Sequence, residues 1–245
     1  MKLDIRANDK HYKSDNIANG RIIKKFFLNL SDNIFKQSLK YWEHHKNLMG
    51  EDEAGGGEIP LLWGERNLYS TISVALNQIT PLHLSEWQFN ESEHQNEKAG
   101  TRRPDFWCAY KDGDTGQPLN YFIEIKKGAY CLNRVSEPEV TQKVLDDFED
   151  IIEQSRKLKK ISPNWAGFED VFLGLFIIQG YFRDGEEHYD ETHVLNSFRD
   201  NMDSRTHAQL IMNTWYVSEK MNIQWTRDKC RFISIVGVAI SKKRT

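Results

Sequence analysis

The stretch Arg102–Gly128, RRPDFWCAYKDGDTGQPLNYFIEIKKG, decides how the chain is read. Two runs rich in Phe, Trp, Tyr and Ile flank a turn-forming segment, KDGDTGQPLN, which predicts a hairpin with strands near 104–110 and 121–127. Strand interiors disfavour Asp, Glu and Lys. Yet Asp105 opens the first strand, and Glu124 and Lys126 lie inside the second. Side chains alternate along a strand, so Phe122, Glu124 and Lys126 share one face. Tyr121, Ile123, Ile125 and Lys127 share the other, where the isoleucines anchor the strand to a core. Glu124 and Lys126 then project together, about 7 Å apart along the strand. Asp105 converges on them if the register sets it opposite.

Two carboxylates on a rigid sheet beside a lysine suit a hard cation. Mg2+ prefers carboxylate oxygens, keeps several waters and completes its shell with substrate phosphate. Such an ion polarises a phosphoryl group and lowers the pKa of a bound water. A lysine beside it can orient that water or balance charge developing in the transition state.

Outward from the hairpin, periodicity supplies the neighbours. GERNLYSTISVALNQI carries Leu68, Ile72, Ala75 or Leu76, and Ile79 at helical spacing, with Glu65 in its first turn. There a carboxylate favours the helix dipole, or points inward to something positive. LHLSEWQFN (82–90) reads as a strand, followed by a polar loop, ESEHQNEKAGTRR. After the hairpin, SEPEV starts a helix, with Ser136 as N-cap, Pro138 in the first turn and Glu139 closing a capping box. Val140, Val144, Phe148, Ile151, Ser155 and Leu158 continue along one face. VFLGLFIIQGYF (171–182) is apolar nearly throughout, as buried central strands are. Further helix is expected around 192–220 and a late strand at 231–240. From Glu65 the order is helix, strand, strand, strand, helix, strand: an α/β fold with a mixed sheet flanked by helices.

Ahead of this unit, residues 21–48 read as a helix, and GEDEAGGGEIP (50–60) as a loop or linker. The expected organisation is an N-terminal helical segment with its Gly-rich loop, 1–58, then an α/β domain with a C-terminal extension, 59–245. The three glycines are not followed by Lys-Ser or Lys-Thr, so the loop is no phosphate-binding P-loop.

Pro104–Asp105, a hairpin gap, then Glu124-Ile125-Lys126 resembles the motif of the PD-(D/E)xK nuclease superfamily, which includes many restriction endonucleases. Pro-Asp and acid-x-Lys each occur once in the chain, in the family's order. The resemblance spans roughly 61–182 and implies a restriction-endonuclease-like αβββαβ core. It implies that Asp105, Glu124 and the Ile125 carbonyl are metal ligands and that Lys126 is the catalytic lysine. Many members carry an extra glutamate on the first helix, where Glu65 stands; Glu86, in the first strand, competes for that role. Gln142 lies where some members place a polar active-site residue, and a surface glutamine is the alternative. Arg102, Arg103 and Lys127 are candidate nucleic-acid contacts. The implied cofactor is Mg2+, with Mn2+ able to substitute. The implied activity is DNA phosphodiester hydrolysis, leaving 5′-phosphate and 3′-hydroxyl ends, by an enzyme of restriction or phage-defence type, often a homodimer. The alternatives are a repair or recombination nuclease, and an inactive nucleic-acid-binding or scaffolding relative. The bland reading of the residues themselves is a solvent-facing Glu124–Lys126 pair with Asp105 capping a turn.

Composition is compatible with such an enzyme. The chain has 245 residues, 39% hydrophobic and 28% charged, with a net charge of −3. That balance argues against a histone-like coat on nucleic acid but not against local phosphate grips such as Lys24–Lys25 or RKLKK (156–160). The longest apolar run is too short to span a bilayer, and no secretory h-region opens the chain, so a cytoplasmic protein is expected. Three scattered cysteines suit reduced thiols. DGDTG (112–116) lacks the glycine and glutamate of a calcium loop, and His188 and His193 lack HExxH spacing. The seven tryptophans could stack on bases, though scattered tryptophans are usually core.

Overall fold

The computed structural model describes residues 4–8, 19–49, 59–87, 103–133, 137–161, 167–183, 185–187, 190–205, 209–218, 221, 223–225 and 228–241. Its elements run β1 (Asp4–Asn8), α1 (Gly20–Met49), short 3-10 turns at Pro60–Leu62 and Glu65–Asn67, α2 (Leu68–Asn77), β2 (His83–Ser85), β3 (Phe106–Lys111), β4 (Pro118–Cys131), α3 (Glu137–Ile161), β5 (Glu169–Arg183), α4 (Glu191–Arg205), β6 (Gln209–Tyr216), β7 (Gln224–Trp225) and β8 (Asp228–Ser241). The strands form one mixed sheet in the order β1-β6-β8-β5-β4-β3-β2, with β7 beside β8. β4 and β5 pair in parallel, and α3 makes the crossover that a parallel pair requires.

Helices cover both faces. Ile23, Phe26, Phe27, Leu30 and Ile34 of α1 recur at helical spacing and meet Tyr121, Ile123 and Ile125 of β4 in one core. Val144, Phe148 and Ile151 of α3 and Val194 and Phe198 of α4 meet Phe176, Ile178 and Val236 in the other. A fully buried side chain of this kind contributes about 1.5–3 kcal/mol. Gly237 of β8 has a positional reason: a Cβ there would lie 2.5 Å from Phe27, so only glycine seats α1 this closely. The boundary expected near residue 58 falls among residues outside the description. Ahead of it, α1 is packed into the sheet, with Phe26 stacked on Tyr121 at 3.8 Å.

Several expectations change. Of the strand expected over 82–90, His83–Ser85 forms β2, Glu86 turns into the left-handed region with φ 49°, and 88–90 lie outside the described residues. The helix expected over 192–220 ends at Arg205, and Gln209–Tyr216 is a strand. Its Leu210 and Met212 point to one core and Ile211 and Trp215 to the other, a two-sided burial that a strand between helical layers satisfies. The expected late strand is present as β8, which pairs with β5 inside the sheet. Cys108 and Cys230 are buried free thiols and Cys131 is half-buried. Among the described residues, no helix is long and apolar enough to cross a membrane. Ser136 and most of the ESEHQNEKAGTRR loop lie outside the described residues, as does His188.

Candidate active site

The hairpin register fixes the first relation. Phe106 pairs with Ile123, and the antiparallel ladder carried one step further sets Asp105 opposite Glu124. Asp105 lies just before the paired strand, and its carboxylate replaces the missing rung. The Ile125 N–H donates to Oδ2 at 2.7 Å, and the Tyr69 hydroxyl, from α2, donates to Oδ1. The Asp105 carbonyl accepts the Glu86 N–H at 2.9 Å. Burial raises the Asp105 pKa, against the pull of these donors and of Lys126. Burial, the hydrogen bond and the Asp105 charge together push the Tyr69 phenol up, which keeps it a donor.

Glu124 and Lys126 share the face expected of them, while Ile123 and Ile125 are buried in the core beneath. Gly174, the β5 neighbour of Glu124, brings α3 down beside it: a Cβ there would lie 2.9 Å from Ile151. Burial, then the Asp105 charge, push Glu124 up to about 8; Glu65 adds to the rise and Lys126 opposes it. Glu65 opens the 3-10 turn ahead of α2. Its Oε1 lies 3.8 Å from the Lys126 ammonium, and its carboxylate also accepts the Lys127 N–H. Burial raises the Glu65 pKa, Lys126 lowers it and Asp105 raises it further. The three carboxylates thus act on one another around Lys126, which is 28% exposed.

The other sequence candidates are arranged differently. Glu86 is exposed, and its charge reaches Asp105 and Tyr69. Lys127 lies on the opposite face of β4; its ammonium turns inward to the Trp63 carbonyl, and burial lowers its pKa to about 8. Gln142 is exposed and donates to Asp146 at 2.7 Å. Arg103 is exposed, and Arg102 lies outside the described residues.

Two residues escaped the sequence reading. Tyr69 follows Glu65 by four positions, a helical spacing that could have flagged it. Asp147, half-buried on α3, acts electrostatically on Glu65 and is itself lowered by Lys126, though burial raises it on balance. Helical spacing separates it from its neighbour: Asp147 lies three residues after Val144 and four before Ile151, at the edge of the apolar stripe, while Asp146 lies on the opposite side.

Among the described residues, no three His, Cys, Asp or Glu side chains already form a metal cage. Both Asp105 oxygens are engaged and Glu65 leans on Lys126. The donor chemistry nevertheless fits a hard divalent cation: all donors are oxygens, and the mutual repulsion that raises Glu124 is what such a cation would offset. The Ile125 carbonyl projects to the same strand edge as its N–H, which faces Asp105, so it fits the set. The chain matches no protein-family model, no curated protein and no solved structure.

Proposed function

We propose that the chain is a metal-dependent nuclease of the PD-(D/E)xK type that hydrolyses phosphodiester bonds in DNA, with α2-β2-β3-β4-α3-β5 as a restriction-endonuclease-like core. The observation that carries the reading is the meeting of Asp105, Glu124 and Glu65 around Lys126. A solvent-facing strand pair has no reason to raise a carboxylate to about 8, whereas pKa values shifted by burial and like charge cluster at functional sites.

Asp105, Glu124 and the Ile125 carbonyl would hold Mg2+ or Mn2+, which supplies positive charge at the phosphoryl oxygen and at the attacking water. Tyr69 and the Ile125 N–H fix the Asp105 carboxylate before any ligand arrives, so its orientation costs nothing at the moment of binding. Lys126 donates a hydrogen bond to the attacking water or to a non-bridging phosphate oxygen, where negative charge grows. Glu65 steadies that ammonium. The water oxygen bonds to phosphorus as the P–O3′ bond breaks, leaving a 5′-phosphate and a 3′-hydroxyl; the water's protons pass to the leaving oxygen and to solvent. A restriction or phage-defence role, and a homodimer cutting both strands, belong to the same proposal.

Plasmid and single-stranded DNA incubated with Mg2+, Mn2+ or EDTA, using wild type and Lys126→Ala, test it. Cleavage that needs the cation and is lost in Lys126→Ala is expected. Cleavage that persists in EDTA or in Lys126→Ala would overturn the mechanism. One observation favours a second reading, a binding protein without chemistry: the described acids do not already form a metal cage. DNA binding without cleavage of either substrate selects it.

A further inference from the structure

Beside the carboxylates, on the same face of the sheet, lies an aromatic pair. Trp107 is two residues beyond Asp105 on β3, so it shares that face, and its ladder partner Phe122 is two residues before Glu124. The rung 107/122 is thus the one next to 105/124, about 7 Å along the strands. Trp87 follows Glu86, whose left-handed backbone ends β2, and its ring lies against Trp107 with centroids 5.4 Å apart and planes tilted by 51°. Both indoles are half-buried: they pack on Phe122, Phe172 and Leu158 beneath and keep part of their surface in solvent. A non-glycine residue in the left-handed region costs roughly 1–2 kcal/mol, and here that turn carries Trp87 to the site.

The helix above this end is charged asymmetrically. α3 carries Asp146, Asp147, Glu149, Asp150 and Glu153, with one base, Lys143, in its first two-thirds, and Arg156, Lys157, Lys159 and Lys160 after them. Asp147 and Lys126 act on each other electrostatically, whereas Leu158, between the basic residues, packs on the Phe122–Phe172 pair beneath the indoles. Lys157 pairs with Glu153 and Lys159 with the Ser241 carbonyl; Arg156 and Lys160 are exposed. A polyanion held at the carboxylates is therefore repelled at the acidic part of α3 and drawn toward the tryptophans.

We infer that Trp87 and Trp107 form a stacking subsite for the nucleobase adjoining the scissile phosphate, and that the preferred substrate is an unpaired DNA strand or frayed end. This rests on the metal-dependent phosphodiester cleavage proposed above, and it sets an unpaired strand in place of the duplex that a homodimer would cut on both strands. Stacking on an indole needs an exposed base face, which a duplex covers, and it tolerates any base. The subsite thus selects strandedness and not sequence.

The test uses full-length Lys126→Ala protein with Ca2+ in place of Mg2+, so that bound DNA stays uncut. Fluorescein-labelled oligothymidylate and a blunt hairpin duplex are titrated by anisotropy, with tryptophan emission read in parallel. The single strand should bind about tenfold or more tightly over the duplex, with quenching of tryptophan emission. Trp87→Leu and Trp107→Leu should each weaken single-strand binding by about fivefold to a hundredfold and leave duplex binding unchanged, while Trp87→Phe and Trp107→Phe restore most of it. Circular dichroism of each variant checks the fold; if a Leu variant does not fold, loss of the oligothymidylate-induced quenching in Trp87→Phe and Trp107→Phe, with binding kept, carries the test. Equal or tighter duplex binding, or unchanged single-strand binding in the Leu variants, overturns the inference. If wild type cuts duplex as fast as single strand, the nuclease reading survives alone; if neither DNA is bound or cut, both fall.

Discussion

The β3–β4 hairpin carries acids beside a lysine at both of its ends, and the two ends behave oppositely. At the turn, Asp112 accepts the Thr115 N–H and hydroxyl, each at 2.9 Å, and the Lys25 ammonium at 3.1 Å; Asp114 accepts the same ammonium at 2.6 Å. The Thr115 N–H, then Lys25, lower Asp112 to about 2, and Lys25 is raised in return. At the open end, burial and repulsion among Asp105, Glu124 and Glu65 outweigh Lys126, and Glu124 rises to about 8. The turn is a closed account of donors and acceptors that ties α1 to the hairpin. The open end sets carboxylates in mutual repulsion that Lys126 does not offset, and pKa values shifted in this way cluster at functional sites.

The largest effect should come from removing the lysine at the open end. Lys126→Ala is expected to lower Mg2+-dependent cleavage about 10²-fold or more, since it removes a donor to developing charge. The corresponding change at the turn, Lys25→Met, should leave cleavage per folded molecule intact and lower the melting temperature. Loss of cleavage in both variants alike would erase the contrast.

Divalent cation should stabilise one end only. At about a hundredfold excess over Kd, Mg2+ or Ca2+ should raise stability by about 2.7 kcal/mol, read as a rise in melting temperature. Glu124→Gln should abolish that rise, and Asp112→Asn should leave it in place.

The pH dependence of metal-free protein should separate the ends by sign. Glu124 moves from an ordinary 4.5 to about 8 in the fold, so the folded state is relatively favoured below pH 4.5 and loses stability as pH rises toward 8. Asp112 moves from 3.8 to about 2, so its contribution is full above pH 3.8 and is lost as pH falls through 2. Melting temperature followed across pH should lose its fall between pH 4.5 and 8 in Glu124→Gln and its fall below pH 3.8 in Asp112→Asn. The same acid limb in both variants would show that the ends are not distinct.

Smaller effects follow from the supports. Tyr69→Phe should weaken cation binding about 10–100-fold by calorimetry, because the Asp105 carboxylate loses one of its two donors. Gln142→Ala, at an exposed position, should change stability by less than about 0.5 kcal/mol and leave cleavage unchanged.

Much of this was legible in the sequence because it depends on local periodicity. Alternation in YFIEIKK assigned Glu124 and Lys126 to one face and the isoleucines to the core, and the structure keeps that division. The apolar run at 171–182 was read as a buried strand and is one, between β4 and β8. What failed did so where tertiary context overrides local pattern. Residues 209–216 carry enough apolar side chains for helix or strand, and only the two helical layers around them made the strand the better burial. The end of β2 was set by one left-handed residue, Glu86, whose identity does not announce it.

The sequence by itself determined the acids, the lysine, their order along the chain and the face from which two of them project, because alternation is a property of one strand. The tertiary structure alone decided that Asp105 stands opposite Glu124, that Glu65 reaches Lys126, that Tyr69 and Asp147 join them, and that Lys127 turns away to Trp63. Register and helix placement are relations between segments distant in the chain. Only their packing brings the carboxylates close enough, and buries them enough, for each to change the charge of the next.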